Sequence, residues 1–120
     1  MINATLTKFP GESDQFFFDC TNILSADDVI AGSPSMSFLP SDLVGGAQLT
    51  FSAVSISDRD IVFPDGRRAL IGKVIILTIS GGTPVSETAE REYTVLASFA
   101  TQNGHTKIAR GRLLVLPLAL

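Results

Sequence analysis

Apolar and polar residues alternate with a period of two through most of this chain, and Gly, Pro, Asn and Asp cut the alternation at short intervals. Successive side chains on a strand point to opposite faces, so such stretches predict β-structure. The longest pair of runs lies between Arg91 and Leu116 and flanks Asn103-Gly104, the strongest short hairpin signal a sequence offers. Both turn residues tolerate positive φ. In the first run Tyr93, Val95, Ala97 and Phe99 share one face; Glu92, Thr94 and Ser98 share the other, interrupted by Leu96 and Ala100. In the second run Gly111, Leu113 and Val115 lie on the apolar side with Lys107, while Ile108, Arg110, Arg112 and Leu114 make a mixed face. A one-residue bulge at Gly111 would exchange these two faces.

The rest of the chain has the same grammar. Residues 1–14 read as an N-terminal approach segment broken by Phe9-Pro10-Gly11, with the sandwich domain proper spanning 15–120. A strand is predicted from Gln15, with Phe16, Phe18 and Cys20 on one face and Phe17 on the opposite face, where it needs cover. Residues 23–28 permit no more than one helical turn. Short strands are expected at 29–31 and 35–39, either side of Gly32-Ser33-Pro34. Gln48 to Ser57 alternates until the faces swap at Val54-Ser55-Ile56, which predicts a bulge or a change of sheet. Pro64-Asp65-Gly66-Arg67 turns a small inserted hairpin at about 59–70. Lys73 to Ser80 is apolar on both faces and must be covered on both. Ile75, Leu77 and Ile79 are expected in the core, and Val74 and Ile76 beneath the inserted hairpin or a neighbouring subunit.

With 120 residues the chain is the size of one domain and needs no covalent staple. About seven or eight short strands with regular turn signals predict an all-β fold, a sandwich or a barrel. Charged residues are sparse at 18%, which suits a domain that hides part of its surface in an assembly. The net charge of −3 and the dispersed basic residues argue against nucleic-acid binding through a broad basic field. Cys20 is the only cysteine, so no internal disulfide forms, which favours a reducing compartment. No apolar run approaches the length of a membrane span, and the first residues lack the apolar core of a secretion signal.

Little in the chain points to catalysis. His105, the only histidine, adjoins the Asn-Gly turn; a hydrolase reading would pair it with a serine and an acid such as Asp19 or Asp58, but an exposed turn residue is the better explanation. No Gly-x-Ser-x-Gly elbow is present. Asp58, Asp60 and Asp65 would have to converge to hold calcium, and Arg59 between them argues against it. No catalytic, cofactor-binding or metal-binding residues are therefore expected. The mixed stripe of Ile108, Arg110, Arg112 and Leu114 has the composition of an interface. The uncharged tail, which includes Leu116 and Leu118, extends it, and Val74 with Ile76 forms a second candidate patch.

The order of these signals resembles a class of tailed-bacteriophage virion proteins. Phe9-Pro10-Gly11-Glu12-Ser13-Asp14 followed by Gln15-Phe16-Phe17-Phe18-Asp19 is similar to their opening of a proline, an acidic cluster and an aromatic strand. Leu24 with Asp28-Val29-Ile30-Ala31, Ile79-Ser80-Gly81-Gly82-Thr83, and the closing hairpin from Tyr93-Thr94-Val95 to Arg112-Leu113-Leu114-Val115 continue the likeness. The inserted hairpin and the absence of tryptophan depart from that class. The resemblance implies an immunoglobulin-like β-sandwich that decorates the virion or adapts fibres or tails to it. It also implies a non-enzymatic, multi-copy protein whose partners are other phage structural proteins of the capsid, neck, tail or fibre, assembled in the host bacterial cytoplasm. The alternative is a β-sandwich module that binds carbohydrate or a cell surface through its loops, for which scarce Trp and Tyr are a poor supply.

Overall fold

The computed structural model describes residues 5–40 and 48–117. Their strands are β1 (Thr5–Lys8), β2 (Asp14–Asp19), β3 (Ile30–Leu39), β4 (Leu49–Ile56), β5 (Ile61–Val62), β6 (Arg68–Ala69), β7 (Val74–Gly81), β8 (Arg91–Thr101) and β9 (Thr106–Val115). One sheet has the order β1-β9-β8-β3, a second β2-β7-β4, and β5-β6 is a separate ribbon. Among the described residues only the β1–β9 pairing is parallel. The two larger sheets bury their inner faces against each other as a β-sandwich.

The inner faces are those the alternation predicts. Tyr93, Val95, Ala97 and Phe99 from β8 meet Phe16 and Phe18 from β2 and Ile75, Leu77 and Ile79 from β7, all at or near zero exposure. In β9, Ala109, Gly111, Leu113 and Val115 face inward. The β8–β9 ladder runs without a register shift from Arg91↔Val115 to Ala100↔Thr106, so no bulge occurs at Gly111. Gly111 is there for space: a Cβ would lie 2.6 Å from Phe16 Cζ and 2.8 Å from its Cε1. The Phe16 and Phe18 rings, 4.8 Å apart, pack directly on that bare backbone.

The hairpin turn differs from a two-residue reversal. Gly104 has φ +88° while Asn103 is not in the positive region. The Gly104 amide donates to Thr101 O and the Thr101 amide to His105 O, a type I turn closed by a left-handed glycine. A tertiary anchor selects this form. The Asp28 carboxylate, almost wholly buried, accepts from the amides of Val29 (2.9 Å) and Asn103 (3.0 Å) and from the Thr101 side chain. Gln102 N–H adds a bond to Val29 O. The loop ahead of β3 thereby clamps the turn between β8 and β9.

Two local expectations change in the folded chain and a third, the bulge in β4, is met. The approach segment is not outside the sandwich, because Thr5–Lys8 forms the edge strand β1, in register Thr5↔Arg112 to Lys8↔Val115. Its pattern is weak because Lys8 points inward, where it is 1% exposed and donates through Nζ to Phe9 O (2.9 Å) and Gly81 O (2.8 Å). The two short strands around Gly32-Ser33-Pro34 are one strand, β3, with a register shift between Ala31 and Ser35. In β4 the anticipated bulge falls between Ser52 and Ser55, with Ala53 at φ +52°.

Two outcomes follow. Gly111→Ala must displace the Phe16 ring in a close-packed core; it should lower stability by about 1–3 kcal/mol, seen as a lower denaturation midpoint at unchanged slope. Burial pushes the Asp28 carboxyl up, but its bonds from Thr101, Asn103 and Val29, with the nearby His105, outweigh this and hold it below the ordinary value. A depressed folded value contributes stability above the unfolded pKa of about 3.9 and loses it as pH falls through the folded value. Asp28→Asn should flatten that acid limb of the stability profile, measured by denaturation at stepped pH.

Candidate docking surface

Sheet pairing turns the mixed stripe of β9 into part of a broad face. Across the outer side of the four-stranded sheet, Leu114 stands beside Glu92 and Thr7, and Arg112 beside Thr94 and Thr5. Arg110 stands beside Leu96, which pairs onward with Ser37; Ile108 stands beside Ser98, which pairs onward with Ser35; Leu39 pairs with Thr94. Ile108 is 58% exposed and Leu39 47%, with Leu96 and Leu114 half-buried between charged and hydroxyl neighbours. Small hydroxyl side chains on the flanking strands keep this face low.

The two arginines have different circumstances. Arg112 Nε donates to Glu92 Oε1 across the β8–β9 ladder, an exposed ion pair that contributes little to stability but fixes the guanidinium over the sheet. Among the described residues Arg110 makes no ion pair. The face therefore carries aliphatic rows, one neutralised arginine and one uncompensated cation.

The remaining predicted contact residues divide. Leu116 is half-buried, and its amide donates to Lys8 O, so the start of the tail belongs to the sandwich edge beside β1. Leu118 lies outside the described residues. Val74 is a correction: it is wholly buried and cannot meet a partner. The inserted hairpin explains why. Arg67 donates to Asp19 Oδ2 at 2.7 Å, Phe63 meets Phe17 edge-on at 6.4 Å, and Arg67 lies 4.6 Å over the Phe63 ring. These contacts hold β5–β6 on the outer side of the three-stranded sheet. Val74 and Ala69, both at zero exposure and both outside the main core cluster, are buried with it. Phe17 thus finds its cover within the chain, and Ile76, its partner across the β2–β7 ladder, remains half-buried.

The groups considered for chemistry are dispersed. His105 is exposed, and its neighbouring acid is Asp28, not Asp19 or Asp58. Asp19 is held by Arg67 and Thr21, Asp58 meets Arg59, Asp60 accepts the Ile71 amide, and Asp65 accepts the Arg67 amide. Burial, with the adjacent Asp19 charge, pushes the Cys20 thiol up to about 12, so the sulfur is a core group and not a nucleophile. Among the described residues no cluster of His, Cys, Asp or Glu could hold a metal ion.

Leu39 and Leu96 were not among the predicted contact residues. Leu96 was legible as an apolar interruption on a polar face, whereas Leu39 joins the surface only through the β3–β8 register.

No family model and no curated protein matches the chain. Among solved structures it is similar to a family 123 glycoside hydrolase from Clostridium perfringens, described for glycolipid glycan hydrolysis, at 8% identity and a TM-score of 0.38. The match covers 96% of this chain and 23% of that one, so the chain spans less than a quarter of that enzyme's length. A likeness of this size says nothing about activity here.

The contrast between the two patches is measurable. Val74→Ala should cost about 2 kcal/mol from lost burial and the cavity left behind. Ile108→Lys, on the open face, should stay within about 0.5 kcal/mol of the parent. Chemical denaturation of the two variants checks both.

Proposed function

We propose that this protein is a non-enzymatic structural component of a tailed-phage particle, docking to another virion protein through the outer face of its four-stranded sheet. The observation that carries the reading is that face itself: Ile108 and Leu39 are exposed and Leu96 and Leu114 half-buried around Arg110 and Arg112, with no cover among the described residues, whereas the opposite sheet is covered by the chain's own hairpin. Aliphatic rows supply binding energy on desolvation, and arginines supply register through directed pairing.

The virion assignment rests on the ordered sequence resemblance. An immunoglobulin-like reading of the sandwich supports it. The order β2-β7-β4 opposite β9-β8-β3 corresponds to strands B-E-D opposite G-F-C of that fold. The Tyr93 hydroxyl, near the start of β8, accepts the Thr83 amide at 3.3 Å, the arrangement of a tyrosine corner.

Purified particles of the encoding phage, separated into heads and tails and analysed by mass spectrometry, should contain the protein in many copies. Particles lacking it, reconstituted with Ile108→Lys/Arg110→Glu protein, should take up at least about tenfold less than with parent protein at equal fold stability. Absence from both fractions, or equal uptake of the variant, would overturn the reading.

A further inference from the structure

A second surface lies at the rim of the sandwich, where β2 is the outermost strand of its sheet among the described residues. Its backbone polarity follows from the hydrogen bonds at its end. Cys20 N–H donates to Lys73 O, and Ser57 N–H donates to Val74 O on the far side of β7. Main-chain bonds alternate along an antiparallel ladder. With Phe18 opposite Ile75 and Phe16 opposite Leu77, the bonded β2 residues are Asp14, Phe16 and Phe18. Gln15 and Phe17 therefore direct their N–H and C=O groups away from β7, and among the described residues nothing bonds to them.

The other sheet edges carry devices that discourage strand addition. β3 is broken by its register shift with Gly32 at φ +77°, and β4 by a bulge with Ala53 at φ +52°. β1 is four residues long and turns the charge of Lys8 inward. These are the usual protections of an edge. β2 has fewer of them: its six residues pair without a register shift and contain no Pro, Gly or Lys, and its charges, Asp14 and Asp19, stand only at its two ends.

An open depression runs along this edge. Leu6 and Phe16 line its side between the sheets, Gln15 and Phe17 its floor, and Phe63 and Arg67 of the inserted hairpin its outer side. An incoming strand sends alternate side chains to opposite faces. One set would reach Leu6 and Phe16, and the other Phe17 and Phe63. The charges give the strand a polarity. Asp19, at one end of β2, is neutralised by Arg67, whereas Asp14, at the other, makes no ion pair among the described residues; it and Glu12 share the field of one cation, the buried Lys8, so this end keeps an excess of negative charge.

We propose that the free edge of β2 binds an extended segment of another protein as an added antiparallel strand, with alternating apolar side chains and a basic residue opposite Asp14. Strand addition draws affinity from main-chain bonds and specificity from pockets for alternate side chains. The site is separate from the outer face of the four-stranded sheet, and each can fail without the other.

The test uses the full chain, labelled for amide NMR, and a short synthetic peptide alternating Val and Thr with Lys at its C-terminal end. Addition should protect the Gln15 and Phe17 amides from hydrogen exchange. Replacing alternate peptide residues by Pro, or Lys by Glu, should weaken binding by about tenfold or more. Gln15→Pro protein, which loses an outward N–H but no bond to β7, should lose binding while keeping its circular dichroism. If that variant unfolds, Phe17→Lys, which places a charge on the floor of the groove, serves instead. Protection of both amides in the free monomer would mean that the edge is already covered and would overturn the proposal. So would protection that rises with protein concentration alone, which signals a second copy, or peptide shifts that map to Ile108 and Leu114.

Discussion

The two sheets can approach as closely as they do because the Phe16 ring packs on the bare backbone of Gly111. A methyl group there would sit 2.6 Å from the ring, inside any tolerable contact. The consequences extend well beyond one residue. Holding Gly111 inward sets the parity of β9, and parity carries Arg110 and Arg112 outward together with Ile108 and Leu114. The core contact and the candidate docking face are thus one constraint seen from two sides of a strand. A shift of one residue would bury two guanidinium groups and expose Leu113 and Val115, at the cost of desolvating charge without partners.

The outer faces of the two sheets are treated differently. The three-stranded sheet has apolar residues outside, but the chain covers them with its own β5–β6 ribbon, fastened by the Arg67–Asp19 pair and the Phe63–Phe17 contact. The four-stranded sheet has no such cover among the described residues. An apolar surface that is sealed internally is accounted for by folding, and one that is left open asks for a partner. This asymmetry gives the outer face of β9 and β8 functional interest and removes Val74 from it.

Buried polar groups tie these parts together. Lys8 crosses from β1 to the carbonyl of Gly81 at the end of β7, Lys73 Nζ donates to the carbonyls of Ser25 and Ala26, and Asp28 clamps the β8–β9 turn. Each takes up backbone groups that a loop or strand end would otherwise leave unpaired in the interior. They join segments that sheet pairing leaves unconnected.

Much of the architecture was legible in the chain. The alternation of Tyr93, Val95, Ala97 and Phe99, the two-faced apolar run of β7, the Asp-Gly hairpin and the bulge after Ser52 all have local physical causes: side-chain period, burial on both faces and turn chemistry. The outward parity of Ile108 to Leu114 could be read from β9 alone. Strand β1 could not, because its inward residue is a lysine whose burial depends on carbonyls that only the fold supplies. The same holds for Asp28, an ordinary acidic residue in sequence, and for Phe17, whose cover is donated by a hairpin more than forty positions away in the chain. By itself the sequence determined which residues face which way along each strand. Tertiary structure decided which of those faces stay open, because exposure depends on register with distant strands and on what the chain folds back to cover.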